Sequence, residues 1–458
     1  MKLKKWVLWL SVLFCLILPA HATPVKNVIW VIGDGMGPEI LGFWMQGIRY
    51  GKLPGYANGI SNTEKLMNKS VLGMYFNNTY DTIVTDSAAS ATQMATGKFS
   101  RPLYIGIDYN RKPAPTLLEV ARQHGKAIGI ISDAYVTDAT PACFTAHTFT
   151  RHNKADIARQ QIALAPEVIL GGGLKYFEGS YNPKLLQRAK QKGYQIVKDN
   201  KQLASIKDGK ILGLFAEKGM PMAIELAQHP TLPSLTQMTQ KALEVLGQDP
   251  DGFVLMVEAG KIDWAAHSND AGSLFAEMKN FDQLIGYLAE YVDQHPDTLL
   301  YINADHDTGL GAFTYHHVDG KQAATKAAQG EALYDGNVDY SHFSTYQLLD
   351  KQTRNLYDMY RELQAIPPQK RTKEVIQKKL SETLGYEVDI EQFYNIQDIG
   401  GIVRQLNAQR GLVFATMNHS SAALMSIAYG PGAQSFGGVY HNTDIFPRLM
   451  QELEWESK

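Results

Sequence analysis

The run Asn27-Val28-Ile29-Trp30-Val31-Ile32 constrains this chain more than any other segment. After Asn27 both alternating faces are apolar, so as a strand it must be covered on both sides. It stops at the tight turn Gly33-Asp34-Gly35-Met36-Gly37. Later segments repeat the theme of helix followed by buried strand. Thr116 to His124 has helical spacing, Gly125 follows it, and Ala127 to Ile131 reads as a strand. Lys184 to Lys192 precedes Gln195-Ile196-Val197. Ser234 to Leu246 precedes Phe253 to Val257, and Leu274 to Tyr291 precedes Thr298 to Asn303. This alternation predicts an α/β fold, a three-layer α/β/α sandwich around a central, mostly parallel sheet.

The 458 residues suffice for one large domain or two ordinary ones, and 45% hydrophobic residues allow a sizeable core. Residues 1–22 read differently. Lys2, Lys4 and Lys5 precede an apolar run from Trp6 to Leu18 and then Ala20-His21-Ala22, the order of a secretory signal peptide cleaved after Ala22. Export to the periplasm or medium is the expectation, with residues 23–458 as the catalytic chain. No later run approaches the ~20 apolar residues needed to span a bilayer, so no membrane association is expected after cleavage. Cleavage takes three lysines and no acids, turning 44 basic residues into 41 against 46 acids. That balance gives no reason to expect a nucleic-acid surface. Cys143 is the one cysteine outside this segment and reads as a small buried side chain. From about Gly309 to Ala415 the rhythm breaks. This stretch is richer in Gln, Lys and Tyr, has a polar helix near Thr372 to Leu384, and reads as an insertion or cap. A strand from Ala422 to Tyr429 and a helix from Thr443 to Leu453 then resume the pattern.

Chemistry-bearing residues collect where strands end. Asp34 follows the first strand, Glu258 ends the Phe253–Val257 run, and Asp305-His306 follows the strand through Asn303. In open α/β sheets, sites form beyond the carboxyl ends of strands. Asp263-Trp264-Ala265-Ala266-His267 places a carboxylate and an imidazole at i and i+4, one face of a helix. Imidazole with carboxylate suits zinc, whereas carboxylate and hydroxyl oxygens suit magnesium. In Asp138-Ala139-Thr140-Pro141, Thr140 offers either an oxygen for a hard cation or a helix cap. Arg151 carries the forked donors that match two phosphate oxygens. Asp86-Ser87-Ala88-Ala89-Ser90-Ala91-Thr92 sets a hydroxyl at the start of a small-residue helix. Near bound metal such a hydroxyl becomes a nucleophile. The reading from residues is metal-assisted phosphoryl transfer.

These blocks, in this order, resemble the alkaline phosphatase family. The match is carried by Ile32-Gly33-Asp34-Gly35-Met36-Gly37, Val84 to Thr92, Asp138 to Ala142 with Arg151, Val257-Glu258 with Asp263 and His267, Ala304-Asp305-His306, Asn418-His419-Ser420, and Ala428 to Ala433. It spans about residues 26 to 450 and is weak through the insertion. The resemblance implies hydrolysis of phosphate monoesters to an alcohol and inorganic phosphate through a phosphoserine on Ser87. It implies two Zn2+ and one Mg2+ per subunit: Asp263, His267 and His419 around the first zinc, Asp34, Asp305 and His306 around the second, and Asp34, Thr140 and Glu258 around magnesium. Arg151 resembles the phosphate clamp, with Asp86 orienting it. Asp138 and Trp264 resemble residues just outside the ligands, and a homodimer is implied. Two departures stand out: His419 is followed by Ser420 rather than Thr, and Asp138 has no neighbouring Lys. His316, His317 and His441 are read as loop or structural histidines.

Two rivals remain at this stage. A phosphodiesterase of the same superfamily would turn over a bis-aryl phosphate faster than the monoester. A non-catalytic periplasmic protein that binds zinc or phosphate would bind metal without turnover. A sulfatase requires Cys or Ser in a Cys/Ser-x-Pro-x-Arg context, and Ser87-Ala88-Ala89-Ser90-Ala91 lacks both Pro and Arg.

Overall fold

The computed structural model describes residues 24–56, 58–317, 338–388 and 398–455. Residues 1–22, read as a signal peptide, lie outside the described residues. Ten strands form one sheet: β1 Asn27–Gly33, β2 Val71–Phe76, β3 Ala127–Tyr135, β4 Val168–Gly172, β5 Tyr194–Val197, β6 Lys210–Ala216, β7 Phe253–Ala259, β8 Thr298–Ala304, β9 Leu424–Tyr429 and β10 Gly438–His441. Their order across the sheet is β10-β2-β9-β8-β1-β7-β3-β4-β6-β5. Only β9 runs antiparallel to its neighbours, β2 and β8. Every residue of β1, β7 and β8 is buried, so helices must cover both faces of the sheet centre. The architecture is the expected α/β sandwich. Each fully buried aliphatic side chain in these strands contributes about 1.5–3 kcal/mol. Trp30 anchors the centre, edge-on to Phe144 and Tyr301, and its indole N–H donates to Asn303 Oδ1 at 2.8 Å.

Register positions the site. In the parallel ladders Ile32 lies beside Glu258 on β7 and beside Asn303 on β8. Ser132 on β3 also lies beside Glu258. Asp34, Glu258, Asp305 and the turn after β3 therefore emerge on one edge of the sheet. Two sequence readings need correction. Glu258 does not end its strand but lies inside it, since β7 continues to Ala259. The helix Ala139–Ala142 is capped by Asp138, whose carboxylate accepts from the Ala139 N–H, so Thr140 is not the cap.

The stretch read as an insertion has its own small core. Helices Leu356–Ala365, Lys373–Leu384 and Ile399–Gln409 bring together Leu356, Met359, Leu380, Ile402 and Leu406, apart from the main cluster. Two antiparallel ribbons gather its ends: Gly311–Phe313 with Leu412–Phe414, and Asp307–Thr308 with His419–Ser420. The second ribbon pairs His419 with Thr308 and returns the distant histidine to the end of β8.

Candidate active site

Ser87 opens the buried helix Ser87–Thr96, which Asp86 caps by accepting from the Ala89 N–H at 3.0 Å. Gly97, at φ 67°, ends it. The helix is fixed from its sides. The Ser90 hydroxyl donates to the Asp305 carbonyl at 2.6 Å, and the Asn442 amide donates to Ser90 Oγ at 3.0 Å. This holds Ser87 Oγ 3.0 Å from His306 Nε2.

Two ligand groups gather here, and His306 belongs to one of them. Asp263, His267 and His419 form one, and Asp34, Asp263 and His306 the other, with ligand atoms in each group within 4.8 Å of one another. Asp263 thus belongs to both. Asp305 Oδ2 is 3.3 Å from His306 Nε2 and Asp34 Oδ1 is 3.4 Å from it, so Asp305 stands at the same point.

The hydrogen bonds behind these side chains set their tautomers. His267 Nδ1 faces the Met417 carbonyl at 2.5 Å and His419 Nδ1 faces the Thr85 carbonyl at 2.9 Å. A carbonyl accepts only, so each Nδ1 carries the proton and each Nε2 presents a lone pair. The two Nε2 atoms nonetheless face each other at 3.1 Å. His306 obeys the same logic. The Thr308 hydroxyl donates to Asp263 Oδ1 at 2.7 Å, so its oxygen accepts from His306 Nδ1 at 3.2 Å. His306 Nε2 is then a lone pair aimed at two carboxylate oxygens and Ser87. Burial holds this imidazole neutral, its pKa well below the ordinary value.

The carboxylates give the same message. Asp34 Oδ1, Asp305 Oδ2 and Glu258 Oε1 are buried without a hydrogen-bond donor. Burial raises the pKa of all three; Asp305, Asp263 and Glu258 raise Asp34 further, and Glu258 is pushed up to about 8. Such a pocket has a surplus of buried acceptors and negative charge that cations would neutralise. The donors divide by chemistry. The imidazole-carboxylate groups fit zinc, while the all-oxygen set of Asp34, Thr140 and Glu258 fits a harder ion. Thr140 Oγ1 lies 3.5 Å from Asp34 Oδ2, and Glu258 accepts from the Ser132 hydroxyl.

Gly35 lets the backbone pass through this cluster. It sits at φ 69°, its N–H donates to Asp305 Oδ1 at 3.1 Å, and a Cβ would lie 2.8 Å from both Asp263 Oδ1 and Thr308 Oγ1.

Arg151 spans two acids, with one terminal nitrogen 3.3 Å from Asp86 Oδ2 and the other 3.5 Å from Asp138 Oδ1. Trp264, on the helix Lys261–His267, lies 6.0 Å from the Tyr135 ring and over the Lys261 ammonium at 3.5 Å. Asp138 does have a lysine beside it: Lys154 Nζ is 2.9 Å from its Oδ1. Burial raises the Asp138 pKa, but Lys154 and Arg151 outweigh it and hold the carboxyl below its usual range. Sequence reasoning missed Lys154 and Thr308. Their sole signals were a basic residue three places after Arg151 and a hydroxyl two places after His306. His441 stays apart, bonded to Thr443 and the Asn78 carbonyl. Cys143 is buried, and burial pushes its thiol up to about 12.

The alkaline phosphatase family profile matches residues 25–455. This chain belongs to the alkaline phosphatase family. It is 31% identical to alkaline phosphatase 3 of Bacillus subtilis (strain 168), across 95% of this chain and 90% of that one. It is also 31% identical to the alkaline phosphatase of Escherichia coli (strain K12), across 62% of this chain and 70% of that one. Among solved structures, the cold-active alkaline phosphatase of a psychrophilic Shewanella sp. superposes with a TM-score of 0.76 at 31% identity, covering 93% of this chain and 99% of that chain. The Thermus thermophilus alkaline phosphatase shares the fold, with a TM-score of 0.81 at 24% identity over 95% of this chain and 94% of that one. Alkaline phosphatases are metal-dependent phosphomonoesterases, and this chain converges carboxylates and imidazoles accordingly.

Proposed function

We propose that this alkaline phosphatase hydrolyses phosphate monoesters with Ser87 as its nucleophile. The observation that carries the assignment is Ser87 Oγ, 3.0 Å from Nε2 of His306, a member of the ligand group that shares Asp263 with the other. In this reading Asp263, His267 and His419 hold one Zn2+, Asp34, Asp305 and His306 the second, and Asp34, Thr140 and Glu258 one Mg2+. When bound, these cations lower the pKa of a coordinated hydroxyl and neutralise charge on attacking and leaving oxygens.

The rest follows from the chain's own groups. Ser87 Oγ gives up its proton and forms the P–O bond as the ester P–O bond breaks, and the alcohol leaves with a proton. Backbone N–H groups at the start of the Ser87 helix and the Arg151 fork hold the nonbridging oxygens. Asp86 both caps that helix and accepts from Arg151, so one carboxylate aligns nucleophile and clamp. Water then attacks the phosphoserine, Ser87 recovers its proton, and inorganic phosphate departs. Two in-line displacements retain configuration at phosphorus.

Export and a homodimer belong to the same proposal. Lys2 to Ala22 supports export, and no described helix is long and apolar enough to cross a membrane. The dimer reading is supported by Leu72, Met74 and Phe76 on one face of β2, exposed beside Val439 of the edge strand β10. The activity test is p-nitrophenyl phosphate hydrolysis before and after chelation, with zinc and magnesium restored separately and together. Hydrolysis lost on chelation and recovered with metal is expected. Metal binding without turnover would contradict the proposal.

A further inference from the structure

We infer that Lys154 is a positioning residue that occupies Asp138 and so leaves the Arg151 fork free for the phosphoryl group; this rests on Arg151 being the phosphate clamp. Arg151 lies between Asp86 and Asp138 at 3.3 and 3.5 Å, both long for charge-assisted hydrogen bonds of about 2.7–2.9 Å. Neither acid grips it closely. Lys154 reaches Asp138 Oδ1 at 2.9 Å, the same oxygen Arg151 approaches from farther away. The lysine is the primary partner of that carboxylate and the arginine the secondary one.

Local structure explains why Lys154 can do this. It is the first residue of the helix Lys154–Leu164, three positions after Arg151, so the chain turns back and delivers both cations to one acid. Its side chain is only 16% exposed, and its ammonium stacks on the Tyr135 ring at 4.4 Å. Tyr135 in turn packs against Trp264. A desolvated, ring-backed ammonium is a fixed charge rather than a mobile surface lysine. Lys154 and Arg151 are the described cations within 4 Å of the Asp138 carboxylate, and Lys154 is the nearer. Without Lys154, the buried Asp138 carboxylate has to draw on Arg151. An Arg151 held bidentately by Asp138 presents fewer N–H groups to phosphate.

Lys154→Gln, Lys154→Arg, Asp138→Asn and the Lys154→Gln/Asp138→Asn double variant test this in the metal-loaded enzyme. Readouts are kcat and KM for p-nitrophenyl phosphate and the competitive inhibition constant of inorganic phosphate. Lys154→Gln should weaken phosphate inhibition about tenfold, within the coupling that contacting charged residues show. KM should rise alongside, Lys154→Arg should restore most of the loss, and in the Asp138→Asn background Lys154→Gln should have almost no effect. A purely structural role would give the same loss in both backgrounds. Unchanged phosphate inhibition in Lys154→Gln, or an undiminished effect beside Asp138→Asn, overturns the inference. Should Lys154→Gln not fold, Lys154→Arg against Asp138→Asn carries the comparison: phosphate affinity near wild type in Lys154→Arg supports the inference, and a tenfold loss there overturns it. Arg151→Ala separates the two layers. If it too leaves phosphate affinity intact, the clamp assignment itself fails; if it weakens phosphate while the Lys154 variants do not, only the role of Lys154 fails.

Discussion

Gly35→Ala is the sharpest test of how the fold holds the ligand cluster. Gly35 has φ 69°, a conformation that costs a residue with a Cβ about 1–2 kcal/mol. The new methyl would stand 2.8 Å from Asp263 Oδ1 and 2.8 Å from Thr308 Oγ1, where real Cβ contacts do not occur. Neither neighbour is free to swing aside. The Thr308 hydroxyl is committed to Asp263 and His306, and the Gly35 N–H to Asp305. Overpacking a tight interior costs about 1–3 kcal/mol more, so the substitution should destabilise by about 2–5 kcal/mol. Relief has to come from moving Asp263, which stands in both ligand groups. A displacement approaching 1 Å costs about a hundredfold in rate. The variant should therefore lose metal in elemental analysis, melt earlier, and lose at least about a hundredfold in kcat/KM on p-nitrophenyl phosphate. Gly42→Ala is the control, since its Cβ meets nothing within 4 Å and its helix gains a better helix former. Full metal content with unchanged turnover in Gly35→Ala would refute the reasoning.

Ser87→Ala should abolish hydrolysis while metal content stays near wild type; an equal loss of metal would make Ser87 structural. Glu119 and His147 should give a stability contribution that is greatest at mildly acidic pH. Burial opposes both charged forms and is the largest single influence, but the mutual hydrogen bond, the backbone hydrogen bonds and the charge pairing together outweigh it, raising His147 above 6.5 and lowering Glu119 below 4.5. The His147 share is complete below its unfolded pKa and fades as pH rises through the folded one. The Glu119 share is complete above its unfolded pKa and fades as pH falls through the folded one. Glu119→Gln, which can still complete the cap with Thr116, should thus lower Tm more at pH 5.5 than at pH 9, and equal losses at both would contradict the pairing. Asp270→Ala removes the acceptor of the Leu356 N–H and the Gln352 amide, both at 2.8 Å. Each buried donor left unpaired costs about 1–3 kcal/mol, so limited proteolysis should cut within residues 353–388 sooner than in wild type. An unchanged cleavage rate would show that Asp270 does not secure this segment.

Much of this architecture is readable in the residues because strands buried on both faces carry little but apolar side chains. Val28 to Ile32 and Leu299 to Ile302 declare themselves that way. Glu258 is misplaced by the same rule: a charged residue looks like the end of an apolar run, yet β7 continues because Ser132 donates to that carboxylate from the adjacent strand. Asp263 and His267 are legible at i and i+4, since helix geometry alone puts them on one face. His419 is a different matter. Its arrival depends on a two-residue ribbon with Asp307–Thr308 that closes a long excursion, and no local spacing encodes that pairing. The tautomer-setting carbonyls of Thr85 and Met417 are backbone atoms and leave no mark on residue identity. Lys154 stays hidden for a related reason. Its contact with Asp138 depends on the angle at which a helix begins, and Tyr135 holds its ammonium in place.

The central claim is that Ser87 carries the phosphoryl group between the two displacements. Acid-quenching the metal-loaded enzyme during turnover of a phosphate monoester, followed by peptide mass spectrometry, reads this directly. The account predicts a single phosphate on the helix-opening peptide at Ser87, absent from the chelated enzyme. A phosphate on another side chain, or brisk turnover with Ser87 unmodified under conditions that preserve phosphoserine, would contradict it.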